Sequence, residues 1–149
     1  MSSEPVEVVV AAVRAALPVG RAMPDVLHVG CGAGDLAARL LEECPGIALL
    51  ATDPSHAMVE LARERGVTAQ MQDVQHLLAP DAAYDVVVAT SALQDASDPD
   101  RGLSELRRVL RPGGRLVVVA TGDGLDAGLR RHFGTVERQD EGSGVLVAR

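Results

Sequence analysis

The chain has no lysine and no tryptophan, and Tyr84 and Phe133 are its only tyrosine and phenylalanine. With so few aromatics, the interior has to be built from Ala, Val and Leu. With no lysine, all 14 basic side chains are arginines, set against 21 acids for a formal charge of −7. That balance repels a phosphate backbone. Nucleic-acid recognition rests on a basic footprint and on counterion release, so free DNA or RNA is not an expected partner. The clustered Arg107, Arg108 and Arg111 read as a solvated helix face. Two cysteines, Cys31 and Cys44, are too few for a disulfide framework. The four histidines, His28, His56, His76 and His132, are not at metal-ligand spacing, so no metal is expected. No apolar run reaches the roughly 18 residues of a membrane span. The N-terminal MSSEPVE lacks the basic-then-apolar order of a signal peptide. A soluble, cytoplasmic protein with no membrane partner is expected.

What the chain does have is a regular alternation of short apolar runs and helical periods. At 149 residues it suits one domain over 1–149, with an N-terminal helix inside 1–20 and a core over 25–149. Val6, Val9, Val10, Val13 and Leu17 recur at helical spacing over Glu4–Leu17, and Pro18 and Gly20 end that helix. Strands are predicted at Asp25–Val29, Ile47–Thr52, Val67–Met71, Tyr84–Thr90 and Arg115–Ala120. Helices fall between them at about Gly34–Glu43, at Ser55–Arg65, and from Asp98-Pro99 to Leu110, where Pro112-Gly113-Gly114 closes the last. Strands and helices alternating in this way give parallel strands with right-handed crossovers. The fold class is therefore α/β, a doubly wound and mostly parallel Rossmann-like sheet with helices on both faces. Leu125–Phe133 reads as a weak helix, and Gly134–Arg149 as an antiparallel hairpin around Glu141-Gly142-Ser143-Gly144.

The stretch VLHVGCGAGDL, Val26–Leu36, turns a buried strand into a helix through Gly30, Gly32 and Gly34. Such a turn presents free N–H groups and a positive dipole end to the crevice, and the glycines leave room for a ligand. Cys31 fits as a small residue in the tight loop. In the dinucleotide fingerprint a third glycine stands where Asp35 stands here, and a carboxylate there would face a pyrophosphate. The spacing thus argues against NAD or FAD and for a nucleoside without phosphates. Asp53 ends the second strand about 20 residues further on, where such folds keep an acid for ribose hydroxyls; the other reading of Asp53 is a cap for the next helix. Asp73, just after the third strand, and Val74 are plausible readers of an adenine edge, or Asp73 simply forms a turn.

Taken together, these elements closely resemble the class I S-adenosylmethionine-dependent methyltransferases. VLHVGCGAGDL is similar to the family's glycine motif, ATDPSHAMVELARERG to its ribose-binding acid and following helix, and QDVQHL to its adenine segment. YDVVVATSALQDASDP and RGLSELRRVLRPGGRLVVVA resemble its fourth strand, next helix and Pro-Gly-Gly turn. The likeness implies a seven-stranded sheet whose last strand is antiparallel. It implies S-adenosyl-L-methionine as cofactor, held by His28, Gly30, Cys31, Gly32, Gly34, Asp53, Pro54, Met58, Asp73, Val74 and Thr90. It further implies methyl transfer to an O, N or C nucleophile of a small-molecule or carrier-bound acceptor.

The chain departs from the family at three places. His28 stands where an acid is usual two residues before the first glycine, and a neutral imidazole does not supply that charge; it is either a ligand group or a buried histidine satisfied by a neighbouring backbone group. Gln94 and Asp95 stand where paired histidines are frequent, and Asp95 is the candidate general base, with a solvated loop acid as the plainer reading. The stretch TGDGLDAGLRR passes from the fifth strand into the last helix without the lid that many relatives insert. A pocket so bare is completed by a second subunit, homodimeric or not, serves a protein or carrier-bound acceptor, or has lost catalysis. The alternative to an enzyme is therefore a catalytically silent cofactor-binding module that stabilises or regulates a partner. A nicotinamide-dependent oxidoreductase shares the fold but not the glycine spacing.

Overall fold

The structure, a computed structural model, describes residues 3–120 and 124–149. Residues 121–123, at the passage read as lidless, lie outside the described residues, as do the first two of MSSEPVE. The helices are α1 Ser3–Ala16, α2 Asp35–Glu43, α3 His56–Glu64, α4 Ala92–Asp95, α5 Pro99–Val109 and α6 Gly124–His132. The strands are β1 Asp25–Val29, β2 Ala48–Asp53, β3 Ala69–Met71, β4 Tyr84–Ala89, β5 Leu110–Val119, β6 Val136–Arg138 and β7 Val145–Ala148. They form one seven-stranded sheet in the order β3-β2-β1-β4-β5-β7-β6. β1 to β5 pair with one another in parallel, while β7 runs antiparallel to both β5 and β6. The expected doubly wound sheet with a terminal antiparallel hairpin is what the chain forms.

Continuous apolar strands arise because both faces of the sheet are covered. Val26, Val86, Val88 and Val117 point to one side and pack with Val9 and Val13 of α1 and Leu40 of α2. Leu27, Val29, Val87, Leu116 and Val118 point to the other, onto Leu103 and Leu106 of α5 and Leu129 of α6. The period of two along each strand sorts the side chains into two buried layers. Local chemistry sets the helix ends. Ser55 Oγ accepts from Met58 N–H at the start of α3 (3.3 Å), and Asp98 Oδ1 accepts from Arg101 N–H ahead of Pro99 in α5 (3.1 Å).

Two elements differ from the sequence expectation by more than a residue or two at their ends. α4 is a helix of one turn where only a loop was read. Strand β5 begins at Leu110, not at Arg115: Tyr84 pairs with Leu110 and Val86 with Arg115, so Arg111–Gly114 bulges out opposite the single residue Asp85. Ionic anchoring explains why the strand survives a Pro-Gly-Gly. Arg111 donates to Asp85 and to Asp25 at 2.8 Å each. Arg111 is therefore no solvated helix residue. Arg108 likewise donates to Glu105, Asp81 and the carbonyls of Leu77 and Ala79, and Arg107 lies over the Phe133 ring.

Candidate cofactor cleft and active site

In an open α/β sheet, ligands bind beyond the carboxyl ends of the strands where the strand order reverses. Here that point lies between β1 and β4. Two adjoining cavities open there, with Gly30 and Ser91 in the walls of both. The smaller, about 260 Å³, is lined by Asp53, Pro54, Asp73, Val74, Gln75 and Asp95 among others. The larger, about 510 Å³, runs past His28, Cys31, Gly32, Thr90 and Gln94 to Leu36, Val119 and Val6 of α1.

Asp53 is almost buried at the end of β2. Its Oδ2 accepts from Gly32 N–H at 3.0 Å and its Oδ1 from Ser55 N–H at 2.9 Å. Cys31 N–H donates to Thr52 O at 3.0 Å, extending the β1–β2 ladder into the glycine loop. One carboxylate therefore fixes the loop and also starts the turn into α3, while each oxygen keeps a further lone pair for a ligand hydroxyl. Asp53 is not the cap of α3, as the second reading had it: Ser55 caps that helix, and Asp53 holds the turn before it.

The three glycines do different work. A Cβ on Gly32 (φ +56°) would meet nothing within 4 Å, so this residue leaves space open. A Cβ on Gly30 would come within 2.8 Å of Ala92 N, and one on Gly34 within 2.9 Å of Ala62 Cα. Those two glycines admit α4 and α3, and Gly30 also lies in the walls of both cavities. Gly34 also stands in the left-handed conformation at the start of α2. Beside it, Asp35 turns outward to Arg65 at 2.8 Å, 76% exposed.

His28 points to the α1 side of the sheet and is 1% exposed. The Thr90 hydroxyl spends its proton on Gly30 O at 2.8 Å, so it accepts from His28 Nε2–H at 3.3 Å, and Nδ1 is left as a buried acceptor without a partner. Burial lowers the pKa to about 4, against an opposing pull from the Asp53 charge, and the ring is neutral at pH 7. The partner is a hydroxyl rather than the backbone group expected of a buried histidine. The Cys31 thiol is pushed up to about 11, mainly by burial, and is inert as a nucleophile near neutrality.

Asp95 ends α4 and lines the smaller cavity, while Gln94 lines the larger and donates to Val119 O at 3.2 Å. Met58 is not among the residues lining either cavity, and its backbone N–H is taken by Ser55. Residues that motif reading passed over are Ser91, Leu36, Val6 and Gln75. Only Gln75 left a signal, its place two residues after an aspartate, which is the spacing of an Asx turn. Among the described residues, no group of three or more His, Cys, Asp or Glu side chains is set to hold a metal, and no helix is long and apolar enough to cross a membrane.

Residues 27–118 match the family described as a methyltransferase domain. The chain belongs to the class I S-adenosylmethionine-dependent methyltransferases. It is 30% identical over 138 residues to malonyl-(acyl-carrier protein) O-methyltransferase of Paenibacillus sp. (strain JDR-2), covering 83% of this chain and 50% of the relative. Demethylmenaquinone methyltransferase of Deinococcus radiodurans is 36% identical over 100 residues, 63% of this chain and 42% of the relative. The chain thus spans about half the length of these curated relatives. The crystal structure of a TehB-like SAM-dependent methyltransferase from Corynebacterium glutamicum shares the fold, with a TM-score of 0.72 at 21% identity over 95% of this chain and 85% of that one.

The family's cofactor is S-adenosylmethionine, and the cleft of this chain fits its parts. A carboxylate with spare lone pairs suits the ribose, the bare Cα of Gly32 suits a close-lying ligand, and the Asp73 carboxylate beside Val74 suits an amino-purine edge.

Proposed function

We propose that this methyltransferase catalyses methyl transfer from S-adenosylmethionine to an O, N or C nucleophile of a small or carrier-bound metabolite. The observation that carries the proposal is the Asp53 carboxylate, tied to Gly32 of the glycine loop and facing the same cavity as Asp73, next to a larger and mostly apolar cavity. The cofactor supplies a methyl group already activated on a sulfonium. The protein's part is then to bind, align and exclude water, and alignment alone supplies a large share of such a barrier. Asp53 holds the ribose, Asp73 and Val74 the base, and the loop Gly30–Gly34 gives close passage between the two cavities. Thr90, Ser91 and Gln94 offer polar contacts to an acceptor lying among Val6, Leu36 and Val119. Asp95, exposed beside the cleft, receives the proton released by an O–H or N–H acceptor. The acceptors named for the relatives, an acyl-carrier-bound malonyl group and a demethylated menaquinone, define the first two classes to try.

Titration calorimetry with S-adenosylhomocysteine tests the cofactor site. Wild type is expected to bind, and Asp53→Ala to bind at least about tenfold more weakly, the value of a lost bond to a charged group. Incubation with methyl-labelled cofactor and each acceptor class then tests turnover. Binding without transfer to any acceptor would replace this reading by the silent cofactor-binding module. Sedimentation of the same samples tests whether a second copy of the chain completes the larger cavity.

A further inference from the structure

Gln75 is 9% exposed in the wall of the smaller cavity and is bonded at both ends of its side chain. Its Oε1 accepts from Asp98 N–H at 2.6 Å and from the Ser97 hydroxyl at 3.2 Å. Its Nε2 donates to both oxygens of Asp73, at 3.2 and 3.3 Å, and its backbone N–H donates to Asp73 Oδ1 at 2.8 Å. The amide has only one chemically consistent orientation, because a backbone N–H faces one end and an acceptor-only carboxylate the other. Arg101 further clamps the Gln75 carbonyl at 3.0 Å. Asp73 and Ser97 are walls of one cavity that come from separate parts of the chain, and this side chain links them through Ser97 and the adjoining Asp98 N–H.

We infer that Gln75 is the positioning residue for base recognition: it holds Asp73 as an ionised, acceptor-only carboxylate against the Ser97–Asp98 segment, so that the cavity selects a 6-amino over a 6-oxo purine nucleoside. This rests on the nucleoside reading of the smaller cavity. A carboxylate accepts from an exocyclic amine and faces a 6-oxo group oxygen to oxygen, so selection follows from keeping Asp73 ionised and aimed. The Gln75 donors hold its pKa below the usual carboxylate range, the backbone N–H contributing most.

The test compares binding of S-adenosylhomocysteine and S-inosylhomocysteine by calorimetry in wild type, Gln75→Glu, Gln75→Met and Asp73→Asn, with thermal unfolding to verify that each is folded. Wild type is expected to prefer the adenosyl ligand by about tenfold or more. Gln75→Glu keeps the acceptor for Asp98 and Ser97 but sets a second carboxylate against Asp73. At about pH 8 its preference should shrink to about threefold or less, and at about pH 5.5 a proton shared by the pair restores the donor and the preference returns. Gln75→Met should lose the preference at both values. An unchanged preference in Gln75→Glu at the higher pH, or a loss that acid does not reverse, overturns the positioning role. An Asp73→Asn variant with the wild-type preference overturns Asp73 as base reader and the inference with it. If wild type binds neither ligand, it is the cofactor reading itself that fails.

Discussion

At the scale of single residues, glycine freedom and one neutral imidazole decide most of what the cleft can do. Gly30→Ala places a methyl group 2.8 Å from Ala92 N on a backbone with φ +72°, whereas Gly32→Ala adds one into open space at φ +56°. Gly30→Ala is expected to lower stability by about 2 kcal/mol or more, Gly32→Ala by about 1 kcal/mol while weakening S-adenosylhomocysteine binding more; denaturant melts and calorimetry separate the two. His28 sets a pH dependence. Its folded pKa of about 4 lies below the ordinary 6.5, so between those values the unfolded chain binds the extra proton. Stability is then full above about pH 6.5 and falls as pH drops towards 4, by roughly 3 kcal/mol from this residue. Urea midpoints should fall in acid for wild type relative to His28→Gln, which has no titrating group at that position. The sequence showed a histidine in an acid's place. That it is sealed under α1 and bonded to Thr90, 62 residues away in the chain, depends on packing.

At the scale of elements, helices and strands were legible wherever periodicity ran long, and misread where a short element is held by distant partners. The single turn α4 is too brief to show a period, and it forms because Leu93 packs under α5 while Gly30 makes room for Ala92. The early start of β5 depends on Arg111 reaching Asp25 and Asp85 on two other strands. Arg111→Met is expected to cost about 1–2 kcal/mol, chiefly by leaving the nearly buried Asp85 with fewer donors, and to speed amide exchange over residues 110–115. Hydrogen-exchange mass spectrometry of wild type and variant checks it. Unchanged exchange there would mean that the bulge is held by its backbone alone.

At the scale of the whole molecule, one sheet divides two aliphatic layers, so neither layer can melt without exposing the strands that the other covers. Leu40→Ala on one side and Leu106→Ala on the other, both at 0% exposure, should each destabilise by about 2–5 kcal/mol in a single cooperative transition. Separate transitions by circular dichroism would contradict that coupling. The sequence by itself determined the sheet class, the Asp98-Pro99 helix start and the glycine turn, and it set Asp53 and Asp73 at the strand ends, because alternation, capping and turn chemistry act over a few residues. Only the tertiary structure decided that Gly30 and Gly34 serve packing, that Asp53 ties β2 to the glycine loop, and that Asp95 and Gln94 look into different cavities. It also joined Gln75 to Ser97 and Asp98. Those outcomes depend on which strand ends and helices meet across the switch point, and a local pattern carries no record of partners 20 to 60 residues distant.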